Sequence, residues 1–209
     1  RIEDLASFWQ AIAKEFSTFK NIYGYGLMNE PHDLAPETKW FDMAQASINA
    51  IREVDTNTLI MVGGNDWSSA ERWIEQSDTL KFLKDPANNL AFEAHVYFDK
   101  DASGTYKYSY EEEECYPEKG IDRVKPFVEW IKQNKFHGFI GEYGIPDNDP
   151  RWNETLDLFL GYLQENGING TYWAAGPWWD TYFMAITPKD GKDRPQMPII
   201  EKYTSTLKK

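Results

Sequence analysis

Phe139-Ile140-Gly141-Glu142-Tyr143-Gly144 is a short apolar run that ends on one carboxylate set between two glycines. An apolar run bounded by glycine reads as a buried strand, and glycine at its end lets a ligand or a second backbone come close. That reading puts Glu142 at a mouth. A carboxylate there costs free energy unless it is hydrogen-bonded or has chemical work to do, so a second one in a similar setting is the next thing to find. Tyr23-Gly24-Tyr25-Gly26-Leu27-Met28-Asn29-Glu30-Pro31 supplies it. Again a glycine-spaced strand ends on a glutamate, and Pro31, which has no N–H, stops the strand. Two strand-terminal glutamates far apart in sequence suggest paired carboxylates. Glycoside hydrolysis uses such a pair, one to protonate the leaving oxygen and one to attack or to activate water.

The 209 residues suffice for one domain with a sizeable core, and no composition shift divides them, so the expectation is a single domain over 1–209. Lysine and arginine total 22 against 34 acidic residues, a formal charge of -12. Such a surface repels nucleic acid and anionic membranes, and neither is expected as a partner. Aromatic residues are abundant, with 9 Trp, 12 Tyr and 12 Phe. Cys115 is the only cysteine, which excludes an intrachain disulfide. No apolar run is long enough to span a bilayer, and Arg1-Ile2-Glu3-Asp4 does not read as a signal peptide.

Outward from the two glutamates, strand and helix alternate. Leu5, Phe8, Trp9, Ile12, Phe16 and Phe19 recur at helical spacing ahead of the Glu30 strand. Trp40, Phe41, Ala44, Ile48 and Ile51 mark a second helix, and Leu59 to Gly64 a buried strand. Asp66-Trp67-Ser68-Ser69 predicts a helix start, with Trp73 and Ile74 on its buried side. Leu90 to Phe98 reads as a strand with Glu93, His95 and Tyr97 on one face, because side chains alternate with period two. Asp99 to Gly120 reads as a long loop whose Glu111, Glu112, Glu113 and Glu114 form a solvated face. Helices are predicted over 122–135 and 151–166, the latter with Leu156, Leu160 and Leu163 inward. Strands are predicted over 139–142 and 170–175, and a short helix follows from Pro198.

This alternation implies parallel strands joined by helical crossovers, an α/β chain. Five strands with polar residues at their C-terminal ends suit a (β/α)8 TIM barrel, where active sites gather on that face. Such a barrel has eight strands, so the expectation is that the chain holds strands four to eight and that three N-terminal βα units lie elsewhere, supplied for instance by a second chain.

Asn29-Glu30-Pro31, His95-x-Tyr97, Gly141-Glu142-Tyr143-Gly144 and Trp173 in Tyr-Trp-Ala-Ala-Gly follow one another in that order. The ordered set resembles the glycoside hydrolase family 5 endoglucanases, the cellulases, over essentially the whole chain. Asn-Glu-Pro alone is a weak motif. The resemblance implies Glu30 as acid/base and Glu142 as nucleophile of a retaining endo-β-1,4-glucanase acting on cellulose or β-glucan without a cofactor or metal. It implies that Asn29 bonds the sugar 2-hydroxyl, that His95 lines the same subsite, and that Tyr97 donates a hydrogen bond to Glu142. Trp173 would offer a flat face to the sugar. A polymeric substrate implies a secreted enzyme. Another β-glycanase activity, on mannan or β-1,3-glucan, and a non-catalytic glycan-binding fragment are the alternatives.

Other residues are weighed against plain packing. Trp178 and Trp179, in a glycine-proline loop after a strand, sit where platforms for sugars are useful and are taken as subsite residues. Trp40, Trp67 and Trp73 default to core, and Glu93 to an inner partner. His32 and His137 read as structural or exposed. Asp99 to Gly104 opens like a calcium loop, but Tyr110 stands where the bidentate glutamate belongs, so it is read as a turn, with a bound cation as the lesser alternative.

Overall fold

A computed structural model describes residues 1–35 and 39–204. Its strands are β1 (Gly24–Gly26), β2 (Leu59–Gly63), β3 (Leu90–His95), β4 (His137–Tyr143) and β5 (Asn169–Tyr172). They are hydrogen-bonded neighbours in chain order, β1-β2-β3-β4-β5. β2 pairs parallel with both β1 and β3, setting Tyr25 opposite Ile60 and Met61 opposite Ala91. Each strand therefore returns beside its predecessor after a crossover, the succession of a (β/α)8 barrel, of which the described residues hold five strands. The helices are α1 (Ile2–Phe16), α2 (Trp40–Arg52), the single turn α3 (Asn65–Ser68), α4 (Trp73–Ser77), α5 (Lys119–Asn134), α6 (Arg151–Glu165) and α7 (Met197–Tyr203).

The chain divides into two compact units, Arg1–Ala94 with Glu129–Phe139, and His95–Val128 with Ile140–Lys209. In the first, Trp73, Phe92 and Trp130 are buried edge to face, with Phe92 and Trp130 centroids 4.9 Å apart and Trp73 and Trp130 5.4 Å apart. Such pairs add to what area burial supplies. α2 buries Trp40, Ala44, Ile48 and Ile51, as its 3.6-residue spacing predicts. α1 opens with Glu3 and Asp4 and closes with Lys14, charges that suit the helix dipole. Its apolar stripe is only partly covered, since Phe8 is 54% and Phe16 37% exposed, and Phe19 lies beyond its end.

The turn α3 at Asp66 does not open a regular right-handed helix. Asp66, Trp67 and Ser68 all take positive φ, a conformation a helix cannot continue through, and regular helix begins only at Trp73. Trp73 and Trp40 are core as expected, whereas Trp67 is 43% exposed.

In the second unit, Phe98, Phe127, Ile140, Trp152 and Phe159 are buried, and α6 turns Leu156, Leu160 and Leu163 inward. β3 ends at His95, three residues short of the expected Phe98, because the Phe98 N–H is taken by the Tyr106 hydroxyl. β5 stops at Tyr172, earlier than expected. The acidic run is not uniformly solvated: Glu113 is buried, its carboxylate accepting from the N–H groups of Lys100 and Tyr108 at 2.8 and 2.9 Å.

Candidate active site

In the first unit the chain beyond β1 carries Asn29 and Glu30. The strand itself stops at Gly26, and Glu30 lies four residues on, half-buried and in the left-handed region at φ 46°. A non-glycine residue held there costs of order 1 kcal/mol or more, and such residues cluster at functional sites. The segment is fastened on both sides of Glu30. Leu27 N donates to Met61 O at 3.0 Å, and Trp9 Nε1 donates to Leu27 O at 3.0 Å. Pro31 is buried while Asn29 is exposed. Past it, the His32 ring stacks on Trp67 at 4.4 Å and 15°, and His32 Nδ1 pairs with Asp33 at 2.9 Å. Pro31, His32, Lys39, Trp40 and Trp67 line an open pocket of about 400 Å³. Sequence reading missed this stack, although both residues follow strand ends by a few positions.

In the second unit Glu142 is the focus. Tyr97 Oη donates to Glu142 Oε2 at 2.7 Å, and His95 Nδ1 lies 3.7 Å from Oε1. The shared face expected of His95 and Tyr97 is thus turned on one carboxylate, even though Tyr97 lies two residues beyond the strand. Val96 N donates to Glu142 O at 3.0 Å and fixes the register of that meeting. The His95 side chain is 3% exposed and that of Glu142 14%, so solvent reaches the carboxylate. Burial, and then the Glu142 charge, push the Tyr97 phenol far above its ordinary range. Tyr97 therefore remains a proton donor to the carboxylate, and a hydrogen bond to the charged form favours that form.

The Trp173 N–H donates to Tyr143 O at 2.8 Å, which ties β5 to β4 at its end. Gly144 permits this approach, since a Cβ there would stand 2.4 Å from Trp173 O. The Trp173 ring meets Trp179 edge to face at 4.9 Å, and Trp179 meets Tyr182 at 5.0 Å. Trp178 projects with 90% of its surface exposed. Burial raises the Tyr182 phenol against a hydrogen bond from Trp173, and the Glu142 charge adds to the rise. Tyr182 was not found from sequence, because it lies in a loop with no strand to place it.

The loop after β3 is a turn, as expected. The buried Asp99 carboxylate accepts from Gly104 N and Thr105 N at 3.0 Å, from Tyr106 N at 3.2 Å and from Ser103 Oγ at 3.1 Å. Those donors take the acceptor positions a cation would need. His137 is exposed, and Glu93 Oε2 lies 3.8 Å from where a Gly26 Cβ would stand.

Comparison with known proteins bears on what this arrangement can do. The model of the family described as Cellulase (glycosyl hydrolase family 5) matches residues 1–178. Endo-beta-1,4-glucanase B of Emericella nidulans is 36% identical over 193 residues, 90% of this chain and 56% of the relative. The probable endo-beta-1,4-glucanase B of Aspergillus kawachii is 34% identical over 206 residues, 96% of this chain and 59% of the relative. The chain thus spans less than three-fifths of the length of these relatives. Among solved structures, Pseudomonas stutzeri endoglucanase Cel5A in complex with cellobiose superposes with a TM-score of 0.90 at 42% identity, covering 99% of this chain and 61% of that one. XacCel5A in complex with cellopentaose gives a TM-score of 0.88 at 38% identity, covering 98% and 66%.

Proposed function

The chain belongs to glycosyl hydrolase family 5, and from that premise we propose that it carries catalytic strand ends of a retaining endo-β-1,4-glucanase, with Glu142 as nucleophile and Glu30 as acid/base. The observation that supports the reading is the hydrogen bond from Tyr97 to Glu142 at 2.7 Å, with His95 at the other carboxylate oxygen. Together they hold the carboxylate aimed, as the attack of a nucleophile requires.

In the first step a Glu142 oxygen bonds to the anomeric carbon as the glycosidic C–O bond breaks, and the Glu30 proton passes to the leaving oxygen. In the second, Glu30 takes a proton from water as its oxygen attacks the same carbon and Glu142 departs. Retaining enzymes hold the two carboxyls roughly 5 to 5.5 Å apart for this exchange. Asn29 bonds the sugar 2-hydroxyl, where an interaction that strengthens in the transition state lowers the barrier. His95 lines that subsite, and Trp173, Trp178 and Trp179 offer ring faces to neighbouring sugars.

Cellobiose and cellopentaose, bound by the two solved relatives, support the ligand class we infer, a β-1,4-glucan. A polymer of that kind stays outside the cell, so the site of action is extracellular. The proposal extends to the barrel: activity depends on the strands beyond the five present here, in the same chain or a second one.

Hydrolysis of carboxymethylcellulose, measured beside mannan and β-1,3-glucan, tests the reading. The expected result is release of reducing ends from the β-1,4-glucan, abolished in Glu142→Gln. In Glu142→Ala, azide restores turnover by bonding to the anomeric carbon in place of the carboxylate and gives an α-glycosyl azide. Full activity in Glu142→Gln sinks the assignment. Oligosaccharide binding with no turnover under any complementation makes the chain a glycan-binding protein instead.

A further inference from the structure

The Asp99–Tyr106 loop has no part in the chemistry above, yet it grips both ends of the Tyr97–Glu142 hydrogen bond. Gly104, at φ +73°, lies close against the Tyr97 ring: a Cβ there would stand 3.0 Å from ring carbons Cγ and Cδ1 and 3.1 Å from Cδ2. Nothing larger fits without pushing the ring. Tyr106, buried, accepts from Phe98 N at 2.9 Å and donates to Gly144 O at 2.6 Å. Phe98 adjoins Tyr97 and Gly144 lies two residues past Glu142, so one hydroxyl fastens the chain beside each partner. Asp99 shapes the loop that presents both residues, taking four donors between Ser103 and Tyr106 on a carboxylate with no exposed surface. Arg123 completes the frame from α5, donating to Tyr97 O and to Lys100 O.

We propose that Asp99 and Gly104 are positioning residues for Glu142, acting through Tyr97. The loop wedges the Tyr97 ring from behind and so holds its hydroxyl on Oε2. The proposal rests on the reading of Glu142 as nucleophile. Among the described residues of the second unit, those facing that carboxylate include Tyr97, His95 and, through its field, Tyr182.

The test uses a spectroscopic signal and a kinetic one. A hydroxyl proton shared with a carboxylate over a short distance resonates far downfield in proton NMR, and its disappearance in Tyr97→Phe assigns it. In Gly104→Ala, and in Asp99→Asn, which adds no bulk and keeps the loop falsifiable where the first variant fails to fold, the resonance moves upfield or vanishes into solvent exchange. On a soluble cello-oligosaccharide kcat falls by about 10- to 100-fold with KM unchanged, the size expected for losing one hydrogen bond to a charged group. Introduced into Tyr97→Phe, the same substitutions cost nothing further, because their route to Glu142 is already cut. An unmoved resonance in folded variants, absence of the resonance from the parent chain, or kcat losses that multiply with that of Tyr97→Phe overturns the proposal. Hydrolysis that survives in Glu142→Gln instead marks failure of the nucleophile reading, and the NMR signal still decides the role of the loop.

Discussion

The Tyr97 hydroxyl sits 2.7 Å from Oε2 of Glu142, and its ring is almost wholly buried while the carboxylate keeps a window to solvent. A buried donor facing a partly exposed carboxylate is suited to hold a charge in place without covering it. Tyr97→Phe keeps the ring and its packing and deletes only the hydroxyl. A hydrogen bond to a charged group is worth about 1.5–3 kcal/mol, so kcat should fall by roughly 10- to 150-fold. KM should change little, since the bond is made to the enzyme's own carboxylate. Steady-state kinetics on a soluble cello-oligosaccharide reads both numbers, and a rise in KM at constant kcat would move Tyr97 from the nucleophile to the sugar.

Two tryptophans separate binding from folding. Trp178 is 90% exposed and Trp73 not at all. Trp178→Ala should leave the denaturation midpoint unchanged and weaken binding of long cello-oligosaccharides by about 0.5–1.5 kcal/mol, the contribution of one ring-face contact. Trp73→Ala should cost about 3–5 kcal/mol of stability, because its cavity opens among Phe92 and Trp130. Calorimetric titration on one variant and urea unfolding on the other check the pair. Trp178→Ala that unfolds early would make that residue structural.

Much of this was legible in the chain. Period-two alternation put His95 and Tyr97 on one face, and Gly144 after Glu142 marked a strand end that is approached closely; both features are local and survive into the structure. What was not legible depends on partners distant in sequence. Asp66 looks like a helix cap, but the backbone is left-handed through Ser68 and sets Trp67 against His32. Glu113 looks like its acidic neighbours until Lys100 and Tyr108 turn their N–H groups on it. The role of Gly104 emerges only once the Tyr97 ring lies against it. No propensity encodes such meetings.

Arg52 and Asp85 form a buried bidentate pair, Nε to Oδ1 at 2.7 Å and Nη2 to Oδ2 at 3.0 Å, with both side chains at most 3% exposed. Arg52 also donates to Asp55 O and Thr58 O, at 3.0 and 2.9 Å, and so closes the loop before β2. Burial pulls the Asp85 carboxyl up, but Arg52 and the N–H groups of Asn89 and Ala87 outweigh it and hold it below the usual range. Arg52→Met strands that carboxylate and should cost about 3–5 kcal/mol. Arg52→Lys should recover little, since an ammonium cannot reproduce a planar fork. Urea unfolding of both variants measures this, and a fully stable Lys variant would show that charge alone suffices.

Asp55 gives the fold its sensitivity to acid. Its carboxylate accepts from Asn57 N and Thr58 N at 2.9 Å, from Thr58 Oγ1 at 2.6 Å and from Tyr25 Oη at 2.8 Å, all its acceptor positions used. Burial works to raise this carboxyl, yet the bonds from Thr58, Asn57 and Tyr25 overcome it and bring it down to about 2. The folded value lies below the unfolded one, near 4, so the stabilisation is complete above about pH 4 and disappears as pH falls towards about 2. A depression of that size is worth on the order of 2 kcal/mol. Asp55→Asn should therefore cost about that much near pH 7 and progressively less below about pH 4. Part of the acid limb remains in the variant, since Asp85 is depressed too. Unfolding free energies across that range, parent against Asp55→Asn, should converge at low pH; a constant difference would mean that the side chain acts through shape and not through its charge.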